Sequence, residues 1–480
     1  MKKSRAVFLL SLLLVLPLSA ARSEEKQIVL DARRDVALSV FNDGLALVRE
    51  VRQADIPAGT SRLKLTDIPV LLMPESVRVQ SLTAPQDFYV ARQVFEQNTA
   101  DAHSLLDKFV GKQIKVVNWN QFQDRKETLD ATLLSNDGDP VYLVGNEVYI
   151  GYPGAKILPG LPEGFVLRPS LTWEAGAKSA VKHDLEISYL TSGISWKVDY
   201  VMLLKESGPA ELTAWATLSN ESGASFQDAG LRLVAGQVNR TYQEQPQAYA
   251  MKAGRASMAM AEAAPAPPSF EQQSLFEYHA YDLSSPVSLE NHASVQLPFF
   301  QPKNVTLEKE YKVESPQYYY GQAFYDEDGA GKLPVNVYLK TKNTQENGLG
   351  APLPQGTVRL YQQGAEGRQT FAGEDALPSV PQGETVRLRA GQAFDITARR
   401  KQTDYKQLAG NTFESAWQVT LKNAKAEDVE VLVTEPLSGN WQVIEESQPH
   451  EKLNANLIQF RVKVPKNGET VLDYRVKTGY

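Results

Sequence analysis

EISYLTSGISWKVDYVMLLKESGPAELTAWATLSNESGASFQDAGLRLVAGQV, residues 186–238, is the stretch whose reading decides the fold. Its apolar residues recur at every second position, the period of a strand with one face on a core and the other on neighbours or water. Trp196, Val198, Tyr200, Met202 and Leu204 form one row. Leu212, Ala214, Ala216 and Leu218 form a second after the Gly208-Pro209 turn. An Asn220–Gly223 turn leads to a third, Leu231, Leu233 and Ala235. Three such rows separated by turn residues predict sheet architecture and no catalytic motif.

The same pattern extends outward in both directions. Upstream, Leu38 and Val40 alternate into an Asn42-Asp43-Gly44 turn and then Leu45 and Leu47, a hairpin signal because Asp-Gly tolerates the positive φ that such turns need. Residues 101–110, DAHSLLDKFV, predict one helix, with Asp101 as N-cap, Leu105, Phe109 and Val110 on one stripe and Gly111 as the stop. Four or five short strand candidates follow it, which predicts a small SH3-like or Sm-like barrel over 101–158. Downstream, strands are expected at 278–283, 294–299, 306–313, 335–340, 357–361, 385–388 and 394–399. Residues 243–274, rich in Ala, Gln, Pro and Met around an Ala-Pro-Ala-Pro-Pro core, break the alternation and predict a flexible loop. AWQVTLKN at 416–423 echoes AWATLSN at 214–220, as a faint duplication or as convergence between all-β units.

The expected organisation is therefore all-β and multidomain. It comprises a leader over 1–21, an N-terminal β domain over 22–100, the small barrel over 101–158, a central β domain over 159–410 interrupted by the 243–274 loop, and a C-terminal immunoglobulin-like sandwich over 411–480. The leader reading rests on Lys2, Lys3 and Arg5, an apolar run over 6–18 and small residues at 19–21, the pattern of a secretory signal peptide. That run is shorter than the roughly 20 residues that span a bilayer as a helix, so no transmembrane segment is expected in the mature chain. The absence of Cys excludes disulfides and thiolate ligands and suits export to a bacterial periplasm or beyond. Loss of the leader's three basic residues takes the formal net charge from -7 to -10, which leaves no electrostatic footprint for nucleic acid.

Catalytic motifs are weighed and set aside. Ser179 and Lys182 have the spacing of a penicillin-binding pair, and Lys477-Thr478-Gly479 its third element, but Ser179 leads into a predicted strand where that chemistry needs a helix. The five histidines are isolated in sequence, and Asp326-Glu327-Asp328-Gly329 lacks the spaced ligands of a calcium loop, so no metal or cofactor is expected. The one candidate surface is the aromatic run Tyr318, Tyr319, Tyr320, Phe324 and Tyr325. Three consecutive tyrosines cannot all face one core from a strand, and an outward ring offers rigid contact area to a glycan or a protein.

Several ordered motifs resemble one bacterial family, domain of unknown function 4139. They are residues 189–196 (YLTSGISW), Asp199-Tyr200, Trp215 to Asn220, Ser222-Gly223 and residues 233–236 (LVAG), followed by Leu353-Pro354, Gly356, Val358-Arg359, Gly373-Glu374-Asp375 and Gly391 to Asp395. The family has no assigned activity, so the resemblance implies fold determinants: Trp196 and Tyr200 as core mass, Gly236 in a turn, Asp395 in a strand-end hydrogen bond. It is also similar to proteins loosely labelled mucoidy inhibitors, which implies the envelope and its exopolysaccharide, although this chain lacks the long coiled coil that those relatives can carry. The expected function is an exported envelope binding or scaffolding protein without chemistry of its own. The rivals are a glycan or peptidoglycan hydrolase with a carboxylate pair about 5–9.5 Å apart, and a self-assembling surface subunit.

Overall fold

The computed structural model describes residues 27–96, 102–120, 125–151, 154–161, 168–236, 238–239, 270–275, 277–317, 320–324, 331–364 and 366–480. Among them the chain is almost entirely strand, with one α-helix, Ala102–Asp107. The expected leader lies outside the described residues, as does the expected loop up to residue 269. The last five residues of that loop are a correction: Phe270–Leu275 is a strand paired antiparallel with Tyr278–Leu283. Phe394, expected in a strand, is 95% exposed and precedes strand Ile396–Gln407.

The chain divides into two compact units, one holding residues 1–35, 49–70 and 74–189, the other 36–48, 71–73 and 190–480. In the first, a four-stranded sheet runs in the order Gln27–Val29, Gly59–Leu65, Ser170–Ala177, Phe88–Glu96. Leu63, Leu65, Leu171 and Trp173 on its inner face are fully buried. The buried Glu50 carboxylate bridges two cations, Arg33 at 2.5 Å and Arg52 at 3.2 Å. Arg52 also donates to the carbonyls of Asp31 and Thr66, so each charge taken from water has partners.

Residues 102–157 correct two expectations. The helix is shorter than predicted: Phe109 is buried and Leu106 packs beside it, whereas Val110 is 44% exposed. The predicted barrel is an open five-stranded sheet in the order Glu147–Ile150, Val141–Val144, Arg125–Ser135, Gln113–Asn120, Ala155–Ile157. Its first and last members are neighbours in sequence yet sit on opposite edges. Its edges exchange no ladder hydrogen bonds, so the sheet is not a closed barrel.

The second unit contains the stretch that decides the fold. Its central sheet has the order Ala293–Val305, Ala210–Asn220, Ile194–Leu204, Gly356–Gln363, Gln369–Leu377. Trp196, Val198, Tyr200 and Met202 point inward at 0–2% exposure, as do Ala216 and Leu218 at 0%. Strand Ile194–Leu204 pairs parallel with Gly356–Gln363, with Val198 opposite Gly356. A Cβ at Gly356 would lie 2.2 Å from the Val198 carbonyl oxygen, so this close approach requires glycine. The Tyr200 hydroxyl fixes the same junction by donating to the Pro354 carbonyl at 2.8 Å.

Two further sheets share one core. The order of the first is Thr385–Gln392, Val335–Lys342, Glu308–Glu314, Val429–Pro436, Leu457–Val464, His450–Asn454, and that of the second is Lys332–Leu333, Ile396–Gln407, Thr412–Asn423, Gly468–Gly479, Asn440–Glu446. Val313, Val433 and Phe460 of one meet Trp417, Val419 and Tyr474 of the other. This sandwich draws on strands from residue 308 onward as well as on those after 410.

The AWATLSN and AWQVTLKN segments share a device that the turn chemistry alone does not announce. Asn220, fully buried, donates to the carbonyls of Ala224, Leu289 and Glu290, and its Oδ1 accepts from the Ser222 N–H. Asn423, 2% exposed, donates to those of Glu427, Val464 and Pro465 and accepts from the Lys425 N–H. Each asparagine sits at a strand end, where its buried amide is satisfied by three carbonyls drawn from separate segments, which ties those segments together.

Candidate functional site

The aromatic run expected to face a partner is only partly described, since Tyr318, Tyr319 and Tyr325 lie outside the described residues. Tyr320 is buried, which corrects its place in that surface, and Phe324 is partly buried. Tyr320 has no exposure and meets Trp417 edge-on at 5.9 Å, while its N–H donates to the Tyr480 hydroxyl at 3.1 Å. Phe324 packs on Trp417 from 5.8 Å. What draws Tyr320 inward is a buried polar group beneath it. The Arg400 guanidinium lies 3.4 Å from the Trp417 ring centre, pairs with Glu435 at 3.1 Å and donates to the Tyr474 hydroxyl at 3.2 Å. Burial disfavours the Arg400 charge, but Glu435, Tyr474 and Tyr320 together outweigh it and hold the guanidinium above its ordinary value. This is an internal fastening and offers no surface to a ligand.

A surface site forms instead on the outer face of the central sheet. Residues alternate with the buried rows, so Lys197, Asp199 and Val201 on one strand, Trp215 and Thr217 on the next, Gln296 beyond it and Arg359 on the other side all point outward. The register sets Asp199 opposite Trp215 and Thr357, and Thr217 opposite Lys197 and Gln296. The Trp215 indole is 42% exposed. Beside it a polar chain is already assembled: Gln296 donates to the Thr217 hydroxyl at 3.2 Å, which donates to Asp199 at 3.1 Å. Arg359 donates to the other Asp199 oxygen at 3.0 Å and reaches Glu374 at 3.5 Å, and Lys197 stands 3.4 Å from Asp199. Burial pushes the Asp199 carboxyl up, but Arg359, Thr217 and Lys197 together outweigh it and hold it below its ordinary value. An open recess of about 350 Å³ lies over these groups. Further along the same face, Tyr361 and the half-exposed Phe371 meet edge-on at 5.7 Å.

Such a face can hold a ring against Trp215 and offer donors and acceptors of fixed direction around it. Sequence reading missed it as a site, although its members fall within motifs it quoted: Asp199, Trp215, Thr217, Arg359 and Glu374. The usable signal was a tryptophan out of phase with its own apolar row. The family model Domain of unknown function (DUF4139) matches residues 185–480. The chain belongs to this family. All members of the outward face lie within the DUF4139 region, as does the whole terminal sandwich, whereas the four-stranded and open five-stranded sheets of the first unit lie before it. No curated protein matches the chain.

The remaining candidates do not assemble. Ser179 precedes strand Val181–Ser192 and its hydroxyl is hydrogen-bonded to Asp87, while Thr478 is a buried strand residue. Among the described residues no group of His, Asp and Glu has the arrangement of a metal site, and Asp326 to Gly329 lie outside them. His183 is buried with Nδ1 2.8 Å from the Ser81 hydroxyl, and His292 and His450 each contact a glutamate. Trp196 and Tyr200 are core residues as the motif implied. The strand-end bond at Asp395 is made by its main-chain carbonyl, which accepts from the Ala424 N–H at 2.8 Å. Among the described residues, no helix is long and apolar enough to cross a membrane.

Proposed function

We propose that this protein is an exported binding component of the cell envelope, without chemistry of its own, and that the Trp215 face takes a glycan. The observation that carries the reading is an exposed indole set in a sheet beside a carboxylate whose orientation is held by Arg359 and Thr217. A pyranose ring presents an apolar C–H face and an equatorial rim of hydroxyls. The indole covers the first, and Asp199, Gln296 and Lys197 meet the second by charge-assisted and neutral hydrogen bonds. Sheet strands hold these groups more rigidly than loops do, which limits the ordering lost on binding. Export is supported by the charged, apolar and small-residue sequence of positions 2–21 and by the absence of cysteine.

A two-carboxylate hydrolase fits this face less well. Its general acid needs a raised pKa, whereas Asp199 is lowered and shares Arg359 with Glu374. The test is a calorimetric titration of the full chain with neutral and acidic oligosaccharides. The expected result is saturable binding that weakens by about 2 kcal/mol in Trp215→Ala, as for a central aromatic anchor. Unchanged affinity in a folded Trp215→Ala protein overturns the assignment of this face.

A further inference from the structure

The outer face of the five-stranded sheet in the terminal sandwich carries a cluster of cations that is not matched by acids among the described residues. Arg399 on strand Ile396–Gln407 is exposed, and its neighbours in the ladder are Lys332 directly opposite on one side and Thr420 on the other. Two residues along the same strand in either direction lie Thr397 and Lys401, and Lys422 sits opposite Thr397. These six side chains line an open recess of about 540 Å³. Lys422 is paired with Glu469 at 2.8 Å. Among the described residues Lys332, Arg399 and Lys401 have no carboxylate within ion-pair distance, although the chain carries a formal net charge of -7. Like charges directly opposite across a ladder destabilise the sheet. On the same sheet Arg475 is balanced between Asp404 and Glu445. Arg400, next in sequence, is committed to Glu435 in the core, so the unbalanced charge is confined to the outward residues.

We propose that this recess is an anion site that takes the phosphate group of a phosphorylated sugar. Arg399 supplies a planar fork for two phosphate oxygens and Lys332 and Lys401 supply point charges on either side of it. The hydroxyls of Thr397 and Thr420 lie within the same grid and suit a polar, hydroxylated ligand. A lipid headgroup is the less fitting source, because surfaces that engage bilayers combine cations with apolar side chains that enter the membrane, and the recess lining contains none. The site lies on a different sheet from Trp215 and stands independently of the glycan reading made for that face.

The test uses the full chain at low ionic strength, titrated calorimetrically with glucose 6-phosphate, with glucose, with inorganic phosphate and with phosphatidylglycerol vesicles. Glucose 6-phosphate and inorganic phosphate are expected to bind and glucose not to. The Lys332→Gln/Arg399→Gln double variant should lose at least about tenfold in affinity, the scale of one charge-assisted bond. A second measurement reads the stored repulsion directly. Arg399→Thr should melt at a higher temperature than the parent in low salt, and the gain should vanish in high salt. Equal affinity in the double variant, failure of the folded parent to bind phosphate, binding to the vesicles alone, or an unchanged or lowered melting temperature in Arg399→Thr would each overturn the proposal.

Discussion

The tryptophans of AWATLSN and AWQVTLKN have opposite fates. Trp215 stands five residues before the buried Asn220 and faces solvent at 42% exposure, while Trp417 stands six before the buried Asn423 and is 1% exposed. Both strands end in an asparagine lock of the same form, and that lock fixes which parity faces the core. Because side chains in a strand alternate with a period of two, one added residue turns the ring to the other face. The same residue type thus stands on an exposed face in one sheet and at the centre of a core in the other, where Arg400, Tyr320 and Phe324 close over it.

The comparison predicts unequal losses of stability. Trp417→Ala should destabilise by about 3–5 kcal/mol in denaturant melts, the cost of emptying a fully packed aromatic site, while Trp215→Ala should stay within about 1 kcal/mol because its ring is half in water. Similar losses for both would erase the distinction. Next in size, Asn220→Ala and Asn423→Ala should each cost about 2–3 kcal/mol, since each removes several hydrogen bonds made by one buried side chain. A near-neutral result for one but not the other would show that the two locks are alike in geometry only.

The smallest effect sharpens the platform alone. Asp199 has a lowered pKa in the folded chain, so its contribution to stability is fully present above the unfolded value and is lost as pH falls through the folded one. Asp199→Asn should flatten that acid limb of a stability-against-pH profile without moving the alkaline side. An unaltered profile would detach Asp199 from Arg359 and Thr217 in solution.

The rows of residues 196–202 and 212–218 were legible because alternation is a local property, and their burial follows it residue by residue. The pairing of Ile194–Leu204 with Gly356–Gln363 was not, since parallel partners so distant in sequence leave no local trace beyond a glycine at the point of approach. Asn220 looked like a turn residue, and its three carbonyl partners come from residues 224, 289 and 290, the last two far along the chain. Tyr320 looked like a surface residue because three tyrosines in a row exceed what one strand face can bury. Its burial is decided by Trp417 and Arg400, which only the fold brings near. The outward face of the central sheet was half visible: Asp199, Trp215 and Arg359 stood out as motif residues, but their convergence depends on the register of three strands.

The central claim is tested most directly by photo-crosslinking in cells from Gln296, which is exposed and bonded to the Asp199 network but contributes no aromatic surface. The expected result is a captured species that carries carbohydrate, reaches saturation, and disappears in Trp215→Ala. A protein adduct that persists in Trp215→Ala, or no adduct from an exported and folded chain, would contradict a glycan platform on this face.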